Sequence, residues 1–315
     1  MNRLSQQEFQ FKEIHNINIF QQCKGINAIY IDQQGRYFYA IGDYHNLKIY
    51  DLRKRCTKLI IFCRCECILG IRICEDISTI ITCWQFGLLI IHKIETRNWK
   101  ILKRQYIESS INFTGISNIN QQQNHFACSK SDGSLTIYHN YKGIFKQFQQ
   151  IYDANKEVWL NIIFIESSLF FSYLGANYLE YFKLNQNLNR YEFIKKIVNK
   201  IPIFSIFGSY DRILILGSNR KYMQSILDQE EDGLKQLGKS KEQGCVLSQI
   251  QFLDEGNLFI EFGFSKQIKL WKLDNEELKI IQQIEFQSRI STAGVQKNKN
   301  TLIVGFLDGT IKIFV

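Results

Sequence analysis

The sequence predicts an all-β fold: a seven-bladed β-propeller of four-stranded antiparallel blades, closed by the N-terminal strand. Three observations carry this. A short apolar segment recurs seven times at a near-constant step. A second marker keeps the same step. The chain also stops one strand short in its last unit, while its start holds one strand to spare.

The first marker is the series LKIYDL, LIIHKI, LTIYHN, LEYFKL, QSILDQ, IKLWKL and IKIFV. Its register positions are Tyr50, His92, Tyr138, Phe182, Leu227, Trp271 and Phe314, at intervals of 42, 46, 44, 45, 44 and 43 residues. Periods of this size belong to four-stranded propeller blades. The second marker is the set of apolar strand starts near Ile26, Ile68, Ile111, Val158, Ile201, Val246 and Ile290, at intervals of 42, 43, 47, 43, 45 and 44.

A further strand lies between the markers in each unit, as in RYFYAIGD, NHFACSKSDG, RILILGSN and TLIVGFLDG. These runs end in small residues, Gly42, Ser129, Gly217 and Gly305, which would let flat blades pack face to face. Asp43, Asp132-Gly133 and Asp308-Gly309 then signal hairpin turns. The apolar runs are only 5–8 residues long and rich in Ile, Phe and Tyr, which argues against helices. The last unit ends at Val315 without an outer strand. A segment near residues 8–14 is expected to supply it and so remove an open edge.

The 315 residues are 45% hydrophobic and 22% charged, enough for a large core and unlike a disordered chain. The only proline is Pro202, and no Ser/Gly-rich linker divides the chain, so residues 1–315 read as one domain. The start, MNRLSQQEFQFKEIH, lacks the apolar core of a secretory signal. The apolar stretch Leu160 to Phe182 is long enough to span a bilayer, but Glu166, Asn177 and Glu180 interrupt it. No membrane insertion is expected. Nine cysteines without a framework spacing read as reduced thiols in a cytoplasmic protein, with the nucleus as alternative.

These repeats resemble the WD-repeat family over nearly the whole chain. Tyr50-Asp51 and Trp271-Lys272 stand where that family ends a strand in Trp-Asp, and Asp43, Asp132 and Asp308 match its turn aspartate. The Gly-His dipeptide before the first strand is absent from every unit, and no unit has the full buried Asp, His, Ser and Trp set. The repeats are therefore divergent, and apolar packing should hold the blades. Another seven-bladed family of similar strand spacing fits the same pattern. The resemblance implies a non-catalytic scaffold or adaptor that binds other proteins through propeller faces and loops, as a monomeric ring within a larger complex.

No nucleotide-binding or nucleophile motif appears, and no cofactor is expected. His15, His45, His92, His125 and His139 are scattered without ligand spacing. Cys63, Cys65 and Cys67 alternate on one face of an extended strand, a poor match to zinc. The pairs Glu230-Glu231 and Glu276-Glu277 read as solvated turns. The charged stretch Asp228 to Gly244 should hold a poor outer strand and a loop.

Charge is uneven. Residues 1–150 carry 19 basic against 11 acidic residues, a net of +8, and residues 151–315 carry 20 against 19. Arg53, Lys54, Arg55 and Lys58 follow one third strand. Lys100, Lys103 and Arg104 lie on the next outer strand, with Lys142 and Lys146 at the same stage of the third unit. These nine residues would form a basic arc on the rim that could meet RNA or an acidic protein. An RNA-associated, non-catalytic subunit is thus the alternative function. Lysines on an outer edge also resist strand addition, which is a sufficient structural reading of the same residues.

Overall fold

The computed structural model describes residues 11–18, 25–32, 34–42, 46–62, 68–74, 78–120, 124–152, 159–173, 176–198, 202–209, 212–217, 222–226, 235–236, 249–253, 257–263, 265–274, 277–296 and 301–315. Strand β1 (Glu13–Ile17) comes first. The first sheet is β2 (Ile26–Ile31), β3 (Tyr37–Gly42), β4 (Asn46–Asp51) and β5 (Cys56–Phe62). The second is β6 (Ile68–Cys74), β7 (Thr79–Trp84), β8 (Leu88–Glu95) and β9 (Lys100–Glu108), and the third is β10 (Phe113–Ile116), β11 (His125–Lys130), β12 (Ser134–Tyr141) and β13 (Ile144–Tyr152). The fourth is β14 (Trp159–Ile165), β15 (Ser168–Tyr173), β16 (Tyr178–Asn185) and β17 (Arg190–Val198). The fifth is β18 (Ile203–Ser209), β19 (Arg212–Gly217), β20 (Tyr222–Ile226) and β21 (Lys235–Gln236), and the sixth is β22 (Gln249–Phe252), β23 (Leu258–Phe262), β24 (Gln267–Asp274) and β25 (Glu277–Glu285). The last is β26 (Ile290–Gln296), β27 (Thr301–Phe306), β28 (Ile311–Phe314) and β1.

Every sheet is a four-stranded antiparallel meander, and the first strand of each touches the first strand of the next. The series closes where β2 meets β26. The chain is therefore an all-β propeller of four-stranded antiparallel blades. Because consecutive strands run antiparallel, the described first-to-second and third-to-fourth turns lie on one face of the ring. The second-to-third turns and the connectors between blades lie on the other.

The N-terminal strand joins the last sheet as expected but in a later register. The described strand spans Glu13–Ile17, three residues beyond the expected end at Ile14, and pairs Glu13 with Phe314 and Ile17 with Ile311. Residues 8–10 lie outside the described residues. Lys12 and Val315 exchange both backbone hydrogen bonds, at 2.9 and 3.0 Å. Two apolar anchors set this register. Phe11 is buried in the cluster containing Leu270 and Phe314, and Ile17 packs against the one containing Ile26 and Ile313. Ile14, at the end of the expected segment, is 48% exposed.

The register positions of the sequence fall in the third strand of each sheet, except Leu227, which lies outside the described residues. In four sheets a bulge precedes that position, at Ile49/Tyr50, Ile137/Tyr138, Tyr181/Phe182 and Leu270/Trp271. Bulges sharpen the local twist of the outer hairpin. The strand starts are less regular. β10 begins at Phe113 rather than Ile111, while Val158, Ile201 and Val246 lie outside the described residues. The apolar stretch from Leu160 to Phe182 runs through three strands, β14 to β16. Among the described residues, no helix is long and apolar enough to cross a membrane.

Blades pack through apolar faces, and small residues permit the closest approach. A Cβ on Gly305 would lie 2.8 Å from Cβ of Ile26 and 3.0 Å from Cδ1 of Ile29. Ser129, fully buried, accepts a hydrogen bond from the Thr114 hydroxyl at 2.8 Å. Amide side chains add a directional link between neighbouring blades. Gln105 of β9 donates to the Phe145 carbonyl at 2.6 Å and accepts its N–H at 3.0 Å. Gln149 of β13 does the same with Tyr191, at 2.9 and 2.7 Å. Each fills the hydrogen-bonding capacity of one backbone unit on the next outer strand.

Within blades, buried polar side chains pair with one another. The indole N–H of Trp271 donates to the buried carboxylate of Glu261 at 2.8 Å, and that of Trp84 to the Thr82 hydroxyl at 3.0 Å. Asp132 and Asp308 cap their turns by accepting the N–H and hydroxyl of Ser134 and Thr310. Burial alone would raise both carboxyls, but these hydrogen bonds, and for Asp308 first of all the one it accepts from the Ser288 hydroxyl, hold them below the usual range. Asp43 lies outside the described residues.

Candidate functional site

The arc forms on the outer strands of the first three blades. Arg53, Lys54 and Arg55 occupy the β4–β5 turn and are exposed. The turn is held by Asp51, which is fully buried and accepts the N–H groups of Arg53 and Lys54 at 3.0 and 2.9 Å. Lys58 does not belong with the free charges. It is half-buried, and its Nζ stands 3.9 Å from the Asp51 carboxylate, which Arg36 approaches at 3.6 Å. Burial pushes the Asp51 carboxyl up, but the turn N–H groups and these cations outweigh it and leave it lowered.

Lys100, Lys103 and Arg104 are exposed along β9, together with Leu102 and Tyr106. Lys142 in the β12–β13 turn and Lys146 on β13 flank the exposed Tyr141 ring, at 5.4 and 5.6 Å from its centroid. The Gln105 link to Phe145 brings β9 and β13 side by side. Eight of the nine basic residues thus face solvent, interleaved with exposed aromatic and aliphatic groups.

Beside this arc, a cavity of about 400 Å³ opens between the first two blades. It sits on the face that carries the first-to-second and third-to-fourth turns. Its walls include Asp32, Arg36 and Tyr37 from one blade and Ser78, Thr79, Thr96, Arg97 and Trp99 from the other. The Arg36 guanidinium lies 4.9 Å over the Tyr37 ring, and Tyr37 meets the Trp99 indole edge-on at 4.6 Å. Asp32 accepts the N–H groups of Arg36 and Tyr37 at 2.7 and 2.8 Å, which fixes the turn that carries both side chains. Arg36, Arg97 and Trp99 carry no motif in the sequence; the run TRNWK could be read only as a turn.

Trp99 adopts φ +53°, a conformation unfavourable for a bulky side chain. Arg55, Lys142 and Asn189 share it at the matching turn of their blades, so the conformation belongs to the repeat rather than to this cavity.

The scattered histidines are partly brought together. His125 and His139 face each other across β11 and β12 with ring centroids 4.9 Å apart, a proximity the linear spacing concealed. His125 Nδ1 hydrogen-bonds the Tyr191 hydroxyl at 3.0 Å, in the core between the third and fourth blades. Burial, and then the charge of His139, lower His125 to about 4. His92 is buried with neither ring nitrogen hydrogen-bonded; burial and then Arg104 lower it to about 4. His15 lies on β1 and His45 outside the described residues. No group of three metal-ligating side chains occurs among the described residues. Cys63, Cys65 and Cys67, Glu230-Glu231, and most of Asp228 to Gly244 lie outside them; of that last stretch only β21 is described.

The fold defines the class: a β-propeller of repeated antiparallel blades. No known protein family model matches the chain, and no curated protein matches it.

Proposed function

We propose that this chain is a non-catalytic scaffold or adaptor, a closed seven-bladed ring of the WD-repeat type that binds other proteins through its faces and loops. The supporting observation is how polar side chains are used. Many of those inside the blades are engaged in caps, indole bonds and blade-to-blade links, while exposed cationic and aromatic groups gather on turns and outer strands of the first three blades. Turns held on a rigid ring make a fixed surface for recognition. Affinity purification of the full chain with identification of the co-purifying molecules tests this. Specific proteins in stoichiometric amount support it; recovery of the chain alone refutes it.

The second reading, an RNA-associated subunit, is favoured by one observation: Lys100, Lys103, Arg104 and Lys146 alternate with Leu102, Tyr106 and Tyr141 on adjoining strands. Cations would track phosphates while rings stack on bases. Under this reading RNA co-purifies and is lost steeply as salt rises.

A further inference from the structure

We propose that the cavity between the first two blades is a docking site for an acidic peptide segment of a partner protein, with Arg97 as its charge-reading residue. This rests on the scaffold reading and deepens it by naming the site and the chemistry of the partner.

The argument begins with size. A cavity of about 400 Å³ is within the range that holds a small ligand or one or two side chains. It is too confined for a folded surface and suits a segment presented from outside. Charge then selects the segment. Asp51, the deepest nearby carboxylate, is already matched by Arg36 and Lys58 and by two backbone N–H groups. Asp32 is engaged by the N–H groups of Arg36 and Tyr37. Arg97 on the opposite wall is exposed and makes no ion pair among the described residues. Arg53, Lys54 and Arg55, on a turn of the same face, extend the positive field beyond the mouth. An arriving carboxylate gains a planar guanidinium that can bind it through two N–H groups.

The remaining walls fit a polypeptide better than a phosphodiester chain. Asp32 lines the same cavity with its carboxylate engaged by the turn N–H groups of Arg36 and Tyr37. The hydroxyls of Ser78 and Thr96 offer both donor and acceptor. The Tyr37 and Trp99 rings form an apolar floor for the side chain next to the acid.

The test incubates the full chain with an array of random dodecapeptides. The strongest binder is then measured in solution against the wild type, Arg97→Glu and Lys272→Glu. Arg97 is exposed in a turn, so its reversal should leave the melting temperature unchanged. Thr96→Trp, which fills the mouth without adding charge, serves as a second variant and should also weaken binding. The site predicts binders enriched in Asp and Glu, affinity reduced about tenfold or more by Arg97→Glu, as loss of a charged hydrogen bond requires, and no change with Lys272→Glu. Amides 34–37 and 96–99 should also gain exchange protection. No binder, binders without acidic enrichment, or equal affinity for wild type and both cavity variants overturns the site. So does displacement of the peptide by a single-stranded oligonucleotide that itself binds through Arg97, which would make the cavity a nucleic-acid site. Proteins that co-purify equally with wild type and Arg97→Glu would leave the scaffold reading standing while this inference fails.

Discussion

Gln282, on the outer strand of the sixth blade, holds the backbone of Phe11 from both sides: its side-chain amide accepts the Phe11 N–H at 2.8 Å and donates to the Phe11 carbonyl at 3.0 Å. The same arrangement links Gln105 to Phe145 and Gln149 to Tyr191, so the N-terminal segment is fastened as any outer strand is. Here the partners are 271 residues apart, and the link fixes the strand on which closure depends.

Removing that strand should open the ring. Deleting residues 1–17 exposes the edge of β28 and uncovers Phe314, and the melting temperature should fall by several degrees or more. A milder variant, Gln282→Leu, leaves one backbone N–H and one carbonyl to find water and should cost about 1–3 kcal/mol in denaturant unfolding. An unchanged melting temperature for the deletion would refute closure by this strand.

Glu261 and Trp271 should behave as one unit. Trp271→Phe strands a buried carboxylate, and Glu261→Ala strands an indole N–H and leaves a void. Each is expected to cost about 1–3 kcal/mol, with the double variant well short of the sum. Strict additivity in a double-mutant cycle would show that the bond does not contribute.

Gly305→Ala should destabilise although no unusual backbone angle is involved. The new methyl would press on Cβ of Ile26, which cannot swing away as a side-chain tip could. A cost of about 1–3 kcal/mol is expected from overpacking, read as a lower melting temperature with the secondary structure retained.

His92 and His125 make the fold sensitive to mild acid. Both are lowered in the folded state to about 4, whereas an unfolded histidine titrates near about 6.5. Between those values the unfolded chain binds more protons, so stability is full above about 6.5 and falls as pH drops toward about 4. His92→Phe should flatten part of that slope without loss at neutral pH, because its ring nitrogens have no hydrogen-bond partner to lose. An identical slope in wild type and variant from chemical unfolding at stepped pH would contradict this.

The basic arc should act collectively if it serves an anionic partner. Reversing Arg53, Arg55, Lys103 and Arg104 to glutamate should abolish binding of single-stranded RNA without unfolding the chain. Reversing Lys272 and Arg289 on other blades should matter little. Lys269 is no neutral control, since its cation lies 5.7 Å from the Trp271 ring centroid. Equal loss from both sets, or binding insensitive to salt, would reduce the arc to a solubilising edge.

The sequence by itself determined the repeat, the strand type and the order of strands within each unit, because blade spacing and short apolar runs are local properties. It also located the arc, since outer strands follow third strands at a fixed offset. It ended the closing strand at Ile14, short of Ile17, because the order of apolar letters does not say which of Phe11, Ile14 and Ile17 finds a pocket. The contacts that decide this come from Leu270 and Ile313, at the far end of the chain. The same limit hid the pairing of His125 with His139, the capture of Lys58 by Asp51 and the glutamine links between blades. The cavity lined by Arg36, Arg97 and Trp99 exists only where two blades meet, and no run of residues in one blade encodes it. Tertiary structure decided these features because each is a contact between groups about 40 or more residues apart, or across a hairpin whose register sets which side chains meet.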